Sequence, residues 1–204
     1  MMLYIIRHGE TEWNRMRRVQ GHTDIPLNER GRHLAAETAE KMREIKLDLC
    51  FTSPLKRARE TARIILGSRE IPLYDEERIR EIGFGAYEGV SSGDDSDPKS
   101  RAVQLFFTEP ASYVPPADAE TIPELYSRTG EFLTELCRRN DLQDKNILVS
   151  THGAAMTALL NRIKGELSVE HFWKYKVPPN CAVTMAAVED GKARIIRESV
   201  IYYK

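Results

Sequence analysis

The apolar residues of the chain fall into short runs that alternate with longer amphipathic segments. Residues 2–6 form an uninterrupted apolar run, which predicts a strand that is buried on both faces. The stretches 47–53 ("LDLCFTS"), 71–74 and 146–151 ("NILVST") predict three more strands. Apolar runs without polar alternation are typical of parallel sheets, so this pattern favours a sheet that is covered on both faces.

Helical periodicity fills the gaps between these runs. Residues 28–44 repeat apolar positions at helical spacing, and Asn28 can cap the first turn. A second helix is expected directly after Ser53-Pro54, because the serine oxygen can cap a helix and proline tolerates the first helical position. Gly67 then ends this helix.

Two further helices and a hairpin complete the pattern. Thr121 and Glu124 have the spacing of a capping box, and residues 152–165 continue as a helix from the preceding strand. Asp190-Gly191 separates two strand-like runs and indicates a type I′ hairpin. We therefore predict an α/β fold: a three-layer sandwich with a mostly parallel sheet, helices on both faces and an antiparallel edge hairpin.

Composition narrows the class of partner. The 204 residues fit a single domain spanning 1–204, and a net charge of -1 gives no sign of a nucleic-acid partner. The brief basic cluster 15–18 ("RMRR") is interpreted as a solvated loop. No stretch approaches the roughly 18 apolar residues of a membrane span, so no membrane partner is expected. The pattern leaves a homodimer open.

The cysteines point to a reducing compartment. Cys50, Cys137 and Cys181 lie far apart and form neither a CxxC pair nor a zinc spacing. A charge follows the N-terminal apolar run too soon for a signal peptide. We therefore expect a cytoplasmic protein with reduced thiols.

Two of the predicted strands end in the same dipeptide. His8-Gly9 follows the first strand and His152-Gly153 follows the strand at 146–151. In open α/β sheets the ligand binds at the carboxyl ends of the strands, so both histidines are expected at one crevice. A lone His-Gly pair would carry no weight, because most single histidines are structural or exposed.

Two arginines are expected at the same crevice. Arg7 precedes His8, and Arg57 lies in the first turn of a helix, where free N–H groups favour an anion. Such a cationic cluster repels itself unless an anion fills it, and the planar guanidinium matches phosphate. A metal site is the other interpretation. However, no HExxH or HxH motif is present, and arginines beside a dication would be costly, so neither a metal nor a cofactor is expected.

Four segments, in this order, resemble those of the histidine phosphatase superfamily, the phosphoglycerate mutase-like proteins. They are "RHGETEWN", "TSPLKRARETA", "EIGFGAYEG" and "STHGAAM", and "QGHTDIPLNERG" and "PADAET" support them. The resemblance runs from residue 3 to about residue 165. It implies that His8 is the nucleophile and that Glu81 is the proton donor. The phosphate clamp would consist of Arg7, Arg57 and His152. The substrate contacts would be Asn14, Gln20 and Gly21, with a backbone contact from Gly153.

The implied chemistry makes specific demands on these side chains. A nucleophilic His8 must be neutral, so its other ring nitrogen should donate to a fixed acceptor such as a backbone carbonyl. The arginines and a protonated His152 would meet the phosphoryl oxygens in place of a metal. Glu81 must carry a proton to act as an acid. Judged from the residues alone, Glu81 could instead pair at the surface with Arg78 or Arg80.

The segment 90–120 follows no recognisable pattern, although in similar proteins this region caps the site and selects the substrate. Within it, residues 91–98 are polar and predict a flexible loop, and Lys99 and Arg101 are the only basic residues between Glu88 and Thr121. A second phosphate would therefore be poorly held there. We expect a metal-independent phosphomonoesterase of the phosphatase branch, acting on small phosphorylated metabolites through a phosphohistidine. The alternatives are a cofactor-dependent phosphoglycerate mutase and a non-catalytic phosphate-binding module.

Overall fold

A mixed sheet forms the centre of the structure, a computed structural model in which residues 1–94 and 96–203 are described. Its strands are β1 Met2–Arg7, β2 Leu49–Thr52, β3 Leu73–Asp75, β4 Asn146–Thr151, β5 Val183–Glu189 and β6 Lys192–Val200. They are ordered β3-β2-β4-β1-β5-β6. Strands β1 to β4 run parallel, whereas β5 pairs antiparallel with β1, and β6 pairs antiparallel with β5. The predicted parallel sheet with an antiparallel edge hairpin is confirmed.

Helices cover both faces of this sheet. They are α1 Glu12–Arg15, α2 Glu29–Lys41, α3 Lys56–Leu66, α4 Pro98–Thr108, α5 Ile122–Arg138 and α6 Gly153–Lys164. Helices α2 and α3 bury apolar side chains against one face, and α5 and α6 do so against the other. This arrangement is the predicted three-layer sandwich. In the part of the chain that is described, no helix is both long and apolar enough to cross a membrane.

Local signals in the sequence explain several of these boundaries. The side chain of Asn28 accepts a 2.7 Å hydrogen bond from the backbone N–H of Gly31, which caps α2. Thr121 forms the predicted capping box with the first turn of α5. Asp190 and Gly191 have φ angles of 50° and 71°, the positive pair that a type I′ turn requires.

Two predicted boundaries were wrong. Helix α2 ends at Lys41 rather than near residue 44, and Arg69 donates hydrogen bonds to the carbonyl oxygens of Met42 and Arg43 just beyond it. Helix α3 begins at Lys56, one residue later than expected, and has no side-chain cap. The hydroxyl of Ser53 lies 2.7 Å from a ring nitrogen of His152, so tertiary contact replaces the capping role.

The described part of the segment 90–120 includes helix α4, whose Phe106 and Phe107 line a cavity together with Arg7 and His8 at the carboxyl end of β1. Helix α4 buries Val103 and Phe106 in an apolar cluster that also contains Phe84 and Phe172. The side chain of Asp97 caps α4 by accepting from the backbone N–H of Lys99 at 2.9 Å. Asp95, which belongs to the loop predicted to be flexible, lies outside the described residues.

Candidate active site

A cavity of about 210 Å³ opens at the carboxyl ends of β1 and β4, where the sequence places both His-Gly pairs. Seven of the predicted site residues line it: Arg7, His8, Asn14, Gln20, Arg57, Glu81 and Gly153. These residues come from β1, α1, α3, α6 and the loops that follow β1, α1 and β3. The fold therefore gathers residues from distant parts of the sequence around one space of small-molecule size.

His8 is held as a neutral imidazole. Its Nδ1 lies 2.6 Å from the carbonyl oxygen of Gly9, an acceptor, so Nδ1 carries the proton. Burial, and then the positive charges of Arg57 and Arg7, lower the pKa of His8 well below its usual value, which outweighs the opposing effect of the Gly9 contact. The lone pair on Nε2 is therefore available for attack on phosphorus. The acceptor for Nδ1 is a backbone carbonyl, as expected from the sequence.

Arg57 is completely buried and makes three hydrogen bonds with distant residues. Nη2 donates to the carbonyl of Gly21 at 2.7 Å and Nη1 donates to the carbonyl of Thr23 at 2.9 Å. Nε donates to Nδ1 of His152 at 3.1 Å. Burial lowers the pKa of Arg57 to about 10, so the group stays charged at neutral pH. Its planar fork is thus fixed in one orientation, with N–H groups to spare for a ligand.

His152 corrects one expectation from the sequence. Because an arginine cannot accept a hydrogen bond, Nδ1 of His152 must be unprotonated, and Nε2 donates to the hydroxyl of Ser53 at 2.7 Å. Burial, followed by the charges of Arg57 and His8, lowers the pKa of His152 well below its usual value. The histidine is therefore neutral in this structure, not protonated as expected. The centroid of its ring lies 5.1 Å from that of His8, and its contact with Nε holds Arg57 in place.

Arg7 is oriented by a segment that sequence reasoning missed. Its Nη1 donates to the carbonyl of Pro178 at 2.7 Å, and its buried Nε has no partner in the described residues. The side chain of Asn180 donates to the carbonyl of His8 at 2.9 Å. One short loop before β5 therefore positions both residues of the Arg-His pair. A backbone carbonyl such as that of Pro178 leaves no signal in a sequence.

Glu81 faces the amino-terminal end of α6. Its carboxylate accepts hydrogen bonds from the backbone N–H groups of Ile82, Ala154 and Ala155 at 3.0 to 3.1 Å. These contacts fix the carboxyl group on the cavity wall, opposite the positive end of a helix.

Surface pairing of Glu81 with the neighbouring arginines is excluded. Arg78 forms ion pairs with Glu76 and Glu135, both at 2.7 Å, and Arg80 pairs with Glu77 at 3.0 Å. Both guanidiniums are thus committed to other carboxylates, which leaves Glu81 directed to the site.

The predicted substrate contacts divide into two groups. Asn14 and Gln20 line the cavity, and the buried Oε1 of Gln20 has no partner in the part of the chain that is described. Gly21 lies behind the wall, where its carbonyl holds Arg57 and a Cβ would meet the carboxylate of Glu88 at 2.1 Å. Gly21 has a φ of 53° as well, so glycine is required here by conformation and by space.

Sequence reasoning also missed the mouth of the cavity. Arg17 and Arg18, interpreted above as part of a solvated loop, line it. Aromatic side chains that contact one another form one wall of the cavity: Phe84, Phe106, Phe107 and Trp173. The aromatic pair "FF" in the segment 90–120 was the available signal for this wall. No comparable signal marks Trp173, which the fold brings in from the loop after α6.

Comparison with known proteins supplies the family. The sequence matches the histidine phosphatase superfamily (branch 1) over residues 3–200. It is 36% identical over 162 residues to the uncharacterized phosphatase PhoE of Bacillus subtilis (strain 168), covering 79% of this chain and 76% of that protein. It is 35% identical over 167 residues to the probable phosphoglycerate mutase GpmB of Photorhabdus laumondii, covering 81% and 75%.

A solved structure agrees with these sequence matches. The structure of YhfR from Bacillus stearothermophilus superposes with a TM-score of 0.87 at 33% identity and covers 98% of both chains. The likeness includes the cavity-forming segments as well as the sheet, because it extends over nearly the whole chain. The chain therefore belongs to the histidine phosphatase superfamily, and its class of activity is that of a phosphoric monoester hydrolase.

Proposed function

We propose that this protein is a metal-independent phosphomonoesterase that acts on small phosphorylated metabolites through a phosphohistidine at His8. The observation that carries the proposal is the contact between Nδ1 of His8 and the carbonyl of Gly9, within a buried cationic pocket. This contact fixes the tautomer in which Nε2 is an unprotonated nucleophile. A histidine that only binds phosphate would need a proton on the nitrogen that faces the anion.

In the first step, Nε2 of His8 forms a bond to phosphorus while the ester P–O bond breaks. The leaving oxygen takes the bonding electron pair and a proton from Glu81. The positive charges of Arg7 and Arg57 offset the negative charge that spreads over the three equatorial oxygens. In the second step, water attacks the phosphohistidine, Glu81 takes back a proton, and inorganic phosphate is released from a regenerated His8.

The acid role of Glu81 is tested by comparing leaving groups in the Glu81→Gln variant. The leaving group of an alkyl phosphate is a strongly basic alkoxide that needs the proton, so hydrolysis of this ester should fall by about 10²-fold or more. 4-Nitrophenyl phosphate releases a stable 4-nitrophenolate, so its hydrolysis should fall far less. Equal losses for both esters would show that Glu81 is not the acid.

A phosphoglycerate mutase is the second candidate function, and one observation favours it. Arg17 and Arg18 place two positive charges at the mouth, where a second phosphate could bind. Against it, the segment 90–120 contributes Ser92, Phe106 and Phe107 to the lining rather than basic residues. A non-catalytic phosphate-binding module is less well supported, because nucleophile and acid candidates both face the cavity. Three further expectations stay predictions: a cytoplasmic location, the absence of nucleic-acid and membrane partners, and a homodimer as one possible oligomeric state.

A further inference from the structure

Arg17 adopts a backbone conformation that is uncommon for its residue type. Its φ angle is 54°, in the left-handed region that favours glycine or asparagine. Hydrogen bonds hold this turn: the N–H of Arg17 donates to the carbonyl of Asn14 at 3.0 Å, and its own carbonyl accepts from Ser92 N–H at 2.9 Å. The hydroxyl of Ser92 donates to the same carbonyl at 3.2 Å. Strain of this kind persists where the surrounding structure enforces it, and it is often found at ligand sites.

The guanidiniums of the neighbouring arginines contact protein groups, which distinguishes them from Arg17 in the part of the chain that is described. Arg15 forms an ion pair with Glu12, and Nη1 of Arg18 donates to the carbonyl of Gly89 at 3.2 Å. For the guanidinium of Arg17, the described residues provide no ion pair. This exposed charge nevertheless lines the cavity, so the left-handed turn presents an uncommitted cation at its mouth.

The position of Arg17 differs from that of the phosphate clamp. Arg57 is fully buried and Arg7 is tied to Pro178, which assigns the transferred phosphoryl group to the inner end of the cavity. The stacked rings of Phe107 and Trp173, with centroids 5.6 Å apart, line the outer part. A leaving group that extends outward from the clamp would reach the part of the cavity that Arg17 and these rings line.

We infer that Arg17 is a specificity-determining residue that binds a second anionic group, of which a carboxylate is the simplest, on the leaving group of the phosphate ester. This inference rests on the proposed function for its account of where the phosphoryl group lies. The guanidinium matches a carboxylate with two parallel N–H donors, and the exposed location limits the strength of the contact. Discrimination of about twofold to fivefold is expected from a solvent-exposed charged contact.

The experiment compares carboxyphenyl phosphates with carbamoylphenyl phosphates, using the meta and para isomers of each. The members of a pair have the same shape and differ in one charge. The discrimination is the ratio of their kcat/KM values. Arg17→Asn, whose new residue tolerates the left-handed turn, should lower this ratio about twofold to fivefold for at least one isomer.

Two further variants serve as controls. Arg17→Lys keeps the charge and should retain much of the discrimination. Arg15→Asn removes one positive charge from the same segment at a residue outside the cavity lining, so the ratio should stay at the wild-type value. An unchanged ratio in Arg17→Asn for both isomer pairs, or an equal drop in Arg15→Asn, would overturn the inference.

A binding measurement separates this inference from the proposed function. Calorimetry of the same ester pairs on His8→Ala, with and without Arg17→Asn, reports the discrimination without turnover. If the wild-type protein hydrolyses no ester, the proposed function fails, and the binding ratio still tests Arg17. Preference for the carboxylate that disappears with Arg17→Asn supports the inference, and equal binding of both esters by His8→Ala overturns it.

Discussion

The Nε–H group of Arg57 donates a hydrogen bond to Nδ1 of His152, and the two atoms lie 3.1 Å apart. This contact joins the helix after β2 to the end of β4 and fixes both the rotation of the guanidinium and the tautomer of the imidazole. His152 thereby acts as a neutral support for the clamp. In the proposed mechanism, the positive charge that meets the phosphoryl group then comes from Arg57 and Arg7.

Replacing Arg57 with lysine should cost most of the activity. Lysine keeps a positive charge, but its single ammonium cannot reach Gly21, Thr23 and His152 together in the planar arrangement that also serves phosphate. We expect kcat/KM to fall by about 10²-fold or more in Arg57→Lys. Arg59→Lys is the matched control. Arg59 lies on the same helix, forms a 3.1 Å ion pair with Asp75 and does not line the cavity. A near-normal rate for Arg57→Lys would contradict the clamp.

The two buried histidines should make stability depend on pH. The folded-state pKa values of His8 and His152 lie well below the unfolded value near 6.5, so unfolding takes up protons as the pH falls through 6.5. Their contribution to stability is therefore present above pH 6.5 and is lost below it, by up to about 1.4 kcal/mol per pH unit for each histidine.

Urea unfolding between pH 7.5 and 5.5 measures this slope. His8→Ala should reduce the slope by removing one of the proton-uptake sites. The control is His33→Ala, since the side chain of His33 is 71% exposed, and its slope should match that of the wild type. A wild-type unfolding free energy that stays constant over this range would show that the histidines are not held neutral.

Chelation should leave the activity unchanged. The described residues contain no group of three His, Cys, Asp or Glu side chains that could hold a metal ion, and two arginines supply positive charge at the cavity. Phosphate release should therefore be the same before and after treatment with EDTA. A large loss that is restored by added zinc or magnesium would contradict metal independence.

Phosphate release should exceed isomerisation. A mutase must keep its phosphoenzyme from water while the substrate reorients. Among the described residues, the segment 90–120 contributes mainly aromatic side chains to the cavity and no basic one. With 3-phosphoglycerate and a trace of the 2,3-bisphosphate, inorganic phosphate should be the main product. Isomerisation that outruns phosphate release many-fold would identify the mutase branch instead.

The features that could be predicted are those with a local cause. The buried runs of β1 and β4, the Asn28 cap and the Asp190-Gly191 turn each depend on residues close together in sequence. The contacts that support the site depend instead on the path of the backbone in the folded protein. Arg57 and Arg7 bind carbonyl oxygens of Gly21, Thr23 and Pro178, which any residue type could provide.

Competition between two local roles explains other misses. Ser53 could cap a helix or meet His152, and the sequence gives no means to choose between these partners. The sequence predicts that the cluster 15–18 is solvated, and Arg17 is exposed, but no local pattern shows that it also lines the cavity. Its left-handed turn depends on Ser92, which lies 75 residues further along the chain.

Trapping of the phosphoenzyme tests the central claim most directly. Wild-type protein is mixed rapidly with a ³²P-labelled phosphate monoester and denatured in alkali, and the labelled peptide is then identified by mass spectrometry. We predict a label that is labile in acid, stable in base and located on His8, and its absence from His8→Ala under the same conditions. Rapid hydrolysis by the wild type without such a label, or full activity in His8→Ala, would contradict the mechanism.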